Sequence, residues 1–193
     1  MTLMDALYAQ GLRAFREPRE AAADVIALDV PRDALVPGLF AIVALSVLLN
    51  AVAEFLAPTA MNLVTPFQMT LFLLALFVTF AGAVYKVGEA MGGNGTFANS
   101  LLLSIFFQAI FLPAQALQVL LISVTPALAN VVGLIIFVLG IWINVNFVAA
   151  LHGYPSLGKA IGVILIASLV VAIVMIFVAP MIGISLFGAV PNV

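Results

Sequence analysis

Five apolar runs, at residues 35–56, 67–87, 101–122, 127–151 and 160–182, decide what this chain can fold into. A helix rises ~1.5 Å per residue, so ~20 apolar residues cross the ~30 Å hydrocarbon core of a bilayer, and each run is about that long. A soluble core has no need of five such runs. Across the 193 residues, 66% are hydrophobic and 7% charged, which leaves too little polar surface to solvate a globule. The predicted fold is all-α: a polytopic membrane protein built as a bundle of five transmembrane helices, with a short helical segment in front.

The six Lys and Arg residues set the orientation. Arg13, Arg16, Arg19 and Arg32 precede the first run, Lys86 closes the second and Lys159 opens the fifth, while the other connections carry none. Positive charge is retained inside, so the N-terminus is expected to be cytoplasmic and the C-terminus external. The leading segment mixes both charge signs and lacks the apolar stretch of a cleavable signal, so the first span is expected to direct its own insertion. With no Cys, disulfides, thiolate metal sites and Cys nucleophiles are excluded.

Leu3, Leu7, Leu12 and Phe15 recur at near-helical spacing, which predicts an amphipathic helix over 3–16 at the membrane surface, Arg13 and Arg16 facing headgroups. Pro18 suits the first turn of a second helix running to Leu28, where Val30-Pro31 stops it. Pro58, Asn62, Thr65 and Pro66 mark an external loop. The glycine-rich stretch from Gly88 to Asn99 is internal, with Thr96 placed to cap the third span, and Ser156 is placed to cap the fifth. Residues 123–126 allow only a tight hairpin. The division expected is 1–34 as a cytoplasmic amphipathic segment, 35–182 as the transmembrane domain and 183–193 as a short apolar external tail.

Three motifs stand in a fixed order around the spans. They are Phe15-Arg16-Glu17-Pro18-Arg19-Glu20-Ala21 in the leading segment, Gly92-Gly93-Asn94-Gly95-Thr96-Phe97 after span two, and His152-Gly153-Tyr154-Pro155-Ser156-Leu157-Gly158-Lys159-Ala160 between spans four and five. Together they resemble the bacterial branch of the Yip1 domain family over nearly the whole chain. The resemblance implies a five-span membrane protein without an established catalytic site. Eukaryotic members work in the early secretory pathway and associate with Rab-type GTPases, with one another and with related membrane proteins. This chain lacks their long acidic and aromatic arm, so GTPase binding is not expected to carry over directly.

Polar residues inside the spans are the candidate functional groups, because each is costly in hydrocarbon. Glu54 is the one acid within the nominal spans, with Asn50 one turn before it on the same face. Gln108 and Gln115 share a face of span three, where Pro113 leaves the Ala109 carbonyl without its helical donor. Asn144 and Asn146 point to nearly opposite faces of span four, and Gly133, Gly140 and Asn144 form one stripe. Lys86 and Glu89 are expected to pair at the inner end of span two, or with His152 to line the cytoplasmic mouth of a cavity. His152 is otherwise expected to be a solvated loop residue, and Trp142 to pack in the core.

Enzyme chemistry has little to draw on. The single His has no neighbouring ligand cluster, no nucleophile elbow or HExxH helix occurs, and the glycine loop lacks the Lys of a P-loop. No catalytic, cofactor-binding or metal-binding residue is therefore assigned, and no cofactor is expected. In the head, four Arg offset by six acids give no nucleic-acid footprint. The expected function is non-enzymatic: a Yip1-like protein of the bacterial inner membrane that organises or shapes membranes, or their trafficking, through the lipid bilayer, protein partners and self-association. The alternative is a small channel or transporter for protons, ions or small solutes.

Overall fold

The computed structural model describes residues 9–58 and 64–184. A short helical stretch over 9–13 is followed by α1 (Pro18–Ala27), α2 (Arg32–Leu56), α3 (Pro66–Ala90), α4 (Phe97–Val124), α5 (Pro126–His152) and α6 (Leu157–Met181). The last five of these are long and apolar enough to cross a membrane. All-helical architecture and five candidate spans agree with the reading of the sequence, with each helix extending the apolar run by a few residues.

The helix ends follow from local chemistry. Thr65 and Gln68 form a capping box in front of α3, the Thr65 N–H donating to Gln68 Oε1 at 2.9 Å and the Gln68 N–H returning to Thr65 Oγ1 at 3.3 Å. Thr96 accepts from the Asn99 N–H and Ser156 from the Gly158 N–H, each at 3.2 Å, as the sequence predicts. Thr125 alone separates α4 from Pro126, the first residue of α5, so these two helices form the expected tight antiparallel hairpin.

In the bundle α4 packs against α2, α3 and α5, and α6 closes the assembly against α3 and α5. The core holds small and branched residues at the crossings, among them Val43, Ala81, Ile143, Ala160, Val163 and Ala167. The outer faces are apolar as well: Leu134, Phe137 and Val138 of α5 and Leu165, Leu169 and Phe177 of α6 are exposed. A helix that is apolar on every side is stable only where lipid, rather than water, meets its outer face.

Three expectations need correction. The described part of the head, expected at the membrane surface, reaches along the side of α4, where Phe15 meets Phe111 edge to face at 5.8 Å and Gly11 lies against Ile110. These contacts fall thirteen residues into α4, about 20 Å along the helix at ~1.5 Å per residue. Arg13 does not turn to headgroups; it bridges Glu17 and Asp24, each at 2.6 Å, and tethers the turn before α1 to α1 itself. Residues 3–8 of the expected amphipathic helix, Asn62, and the tail beyond residue 184 lie outside the described residues. Trp142 is 48% exposed, on the outward side of α5 rather than in the core.

Candidate functional site

The ends of α3 and α5 that carry the glycine loop and the His-Gly-Tyr turn lie together, at the end of the bundle where the Lys and Arg residues cluster. Both helices stop in the same way. Gly92 has φ +84°, with Gly93 N–H donating to Gly88 O at 2.9 Å; Gly153 has φ +66°, with Tyr154 N–H donating to Ala149 O at 2.9 Å. These are Schellman caps, in which a left-handed residue folds the chain back onto the last carbonyls, and glycine fills that position without strain.

His152, the last residue of α5, is driven by this cap into the end of α3. It is 2% exposed, and so is not the solvated loop residue that its sequence neighbours suggest. Its ring lies against Gly88, Gly93 and Gly95, so closely that a Cβ on any of the three would fall within 3 Å of it. Gly95 N–H donates to Nδ1 at 3.3 Å, which fixes that nitrogen as the acceptor. Nε2 therefore carries the proton and donates to Val84 O at 3.2 Å. The imidazole is a neutral strut between two backbones, with Asn94 N–H adding a bond to His152 O at 3.4 Å.

Tyr154 completes the joint. Its ring stacks on His152 at 5.4 Å and its hydroxyl donates to Gly88 O at 2.7 Å. Burial pushes the Tyr154 phenol above its ordinary range, so it remains a donor at neutral pH. On the outer side Arg19 of α1 donates to the Tyr154 carbonyl, and Lys159 Nζ sits 5.6 Å from the Tyr154 ring centroid. All three sequence motifs thus meet in one interlock, joining head, glycine loop and turn.

The other candidate residues divide into separate places. Lys86 pairs with Glu89 at 3.0 Å on the surface of α3, exposed and apart from His152. Inside the bundle Gln108 Nε2 donates to Ser46 Oγ of α2 at 3.1 Å and to Gln115 Oε1 at 3.2 Å. Ser46 is a member of this cluster that sequence reading missed; a lone Ser in an apolar run carries no sign of its face until its partner is known. Asn50 bonds back to Ser46 O at 2.9 Å and, with Glu54, lines a cavity of about 260 Å³ near the far end of α2. Asn146 is buried and donates to Trp142 O at 2.8 Å, whereas Asn144 Oδ1 is buried without a partner. Pro113 and Ala109 both lie on the exposed side of α4.

Five apolar helices, tied at one end by a packed joint of backbone and aromatic groups, define an integral multi-pass membrane protein. The Yip1 domain family model matches residues 12–179, a span that includes all three motifs, and the chain belongs to that family. No curated protein matches the chain, and no solved structure does.

Proposed function

We propose that this chain is a non-enzymatic membrane-organising protein of the family's bacterial branch. It sits in the inner membrane with its N-terminus cytoplasmic and acts through protein partners and self-association. The observation that carries this reading is Gln108, whose amide bridges α2 and α4 through Ser46 and reaches along α4 to Gln115. Amides engaged with one another in this way hold helices together. The interlock supports the same reading, since the motifs that mark this chain join its helices to one another. The broad apolar faces of α5 and α6 offer the surface on which another helix would pack.

The experiment is flux through liposomes holding the purified chain. Proton and small-solute flux should equal that of empty vesicles, and Gln108→Leu should lower the melting temperature in detergent by a few degrees, in keeping with ~1 kcal/mol per interhelical bond. The transporter reading has two observations in its favour: the cavity shared by Asn50 and Glu54, and the hollows along α4 that Gln108, Gln115 and Asn144 line. Reproducible flux whose pH dependence changes in Glu54→Gln would establish that reading and overturn the scaffold.

Orientation is tested separately. The chain has no Cys, so one introduced residue reports its own side. Cys at position 94 or 156, in the two turns near the interlock, should resist a membrane-impermeant thiol reagent in intact cells, and Cys at position 125, in the α4–α5 turn, should react. Labelling at 94 but not at 125 would invert the topology.

A further inference from the structure

Three adjoining hollows share Phe80, Phe107 and Asn144, and so make one cleft along α4 between α3 and α5. Nearest the interlock it narrows to about 20 Å³, room for a single water, with Ser100 and Ser104 in its wall. Farther along it widens to about 250 Å³ beside Gln108 and about 350 Å³ beside Phe137 and Gly140, the size at which small-molecule sites begin. Among the described residues, no charged side chain lines any part of it.

Its hydrogen-bonding character is specific. The Ser100 hydroxyl donates to Ala81 O and the Ser104 hydroxyl to Ser100 O, both at 2.9 Å, so neither proton is available to a ligand. Asn144 Oδ1 is buried in the wall with no donor, an arrangement that is costly unless something supplies one. Beyond it Phe107 and Phe137 make an aromatic wall, and Phe137, which is exposed, stands at the lipid-facing mouth.

Depth narrows the class of occupant. Asn144 lies eight residues before His152, about 12 Å along α5 at ~1.5 Å per residue. The 27 residues of α5 span about 40 Å, so roughly 5 Å at each end projects beyond a ~30 Å core, which puts Asn144 about 7 Å inside the hydrocarbon. A membrane amphiphile can carry a hydroxyl to that depth with its tail pointing inward, towards Phe137.

We propose that this cleft binds a neutral single-chain amphiphile entering sideways from the bilayer, its hydroxyl donating to Asn144 Oδ1 and its tail lying along Phe107 and Phe137. Gly140 leaves the floor open for the tail. A hydroxyl matches the site because it can give its proton to the Asn144 oxygen and accept one from Gln115, whose amide also lines the wide part of the cleft; a charged headgroup finds no counter-charge, and an ether can accept but has no proton for the Asn144 oxygen. This site is independent of whether the chain organises partners or moves solutes.

The test uses the full chain in phosphatidylcholine nanodiscs and a photoreactive long-chain alkanol. Labelling should be saturable, should map to peptides of α4 and α5 around Phe107 and Phe137, and should be displaced about tenfold more effectively by the unlabelled alkanol than by its methyl ether. Asn144→Leu should erase the preference for alcohol over ether, and Gly140→Leu should abolish labelling by filling the floor. If Asn144→Leu fails to fold, the alcohol-to-ether ratio of the wild-type chain decides alone. Equal displacement by alcohol and ether, or unsaturable labelling spread over the outer face of α6, would overturn the proposal. So would disulfide formation between single Cys residues at position 137 that shuts the probe out, since a second copy of the chain would then be the occupant.

Discussion

Gly88→Ala is expected to lower the stability of the chain by about 3 kcal/mol, an apparent melting temperature lower by roughly 10 °C for a protein of this size. The direction runs against intuition. Glycine inside a helix ordinarily costs ~1 kcal/mol relative to alanine, so the same change elsewhere in α3 would stabilise. At position 88 the new Cβ would lie 2.1 Å from His152 Nε2 and 2.2 Å from Cε1, and the ring has no room to retreat because Gly93 and Gly95 press on its other edges. Removing the ring should remove the clash, so Gly88→Ala in a His152→Ala background should cost far less than in the wild type. That non-additivity is the signature of a contact rather than of two separate weaknesses. A Gly88→Ala chain as stable as the wild type would mean that His152 does not occupy this position.

His152→Phe keeps an aromatic ring, one atom larger and so crowded against the three glycines, and deletes both nitrogens. Gly95 N–H then loses its acceptor, and Val84 O keeps only its helical donor. The expected cost is ~2–3 kcal/mol, from leaving a part-buried amide unpaired, losing a second bond and crowding the larger ring. Thermal unfolding in detergent measures the total, and hydrogen exchange at Gly95 locates it: that amide should exchange much faster while those in the middle of α3 remain protected. No change in exchange at Gly95 would place the imidazole elsewhere.

The spans and their ends were legible because lipid and backbone impose simple demands. An apolar run of the right length can only cross, and Thr96 and Ser156 stand where an exposed helix start needs an acceptor, whereas Thr65 reads only as part of a loop until Gln68 is seen to complete its capping box. What could not be read were pairings at a distance. His152 sits among Gly, Tyr, Pro and Ser, the vocabulary of a loop, and its burial depends on three glycines that approach it only when α3 and α5 end side by side. Trp142 carries no sign of its face, because α5 is apolar on every side and periodicity marks no inner one. Arg13 reads as a headgroup contact because its partner, Asp24, becomes a neighbour only after the chain turns before Pro18. Gln108 and Gln115 were legible as a pair through their seven-residue spacing, while Ser46, on another helix, was not. Asn144 was legible as a polar residue in an apolar stripe, but the cleft it faces is made by Phe80 and Phe107 from two other helices.

The contact between Arg19 and Tyr154 spans 135 residues of sequence. At the ~5–20 residues per second of translation, the ribosome needs roughly 7–27 s after making Arg19 to produce its acceptor. The fourth span must also be in the bilayer before His152 can reach Gly88. Throughout that interval the head has no turn to hold, and the glycine loop has no imidazole to close on. Assembly is thus ordered by the chain itself: the first four spans gather as a loose set, and emergence of the turn before the fifth span latches the head and the loop in one event, late in synthesis.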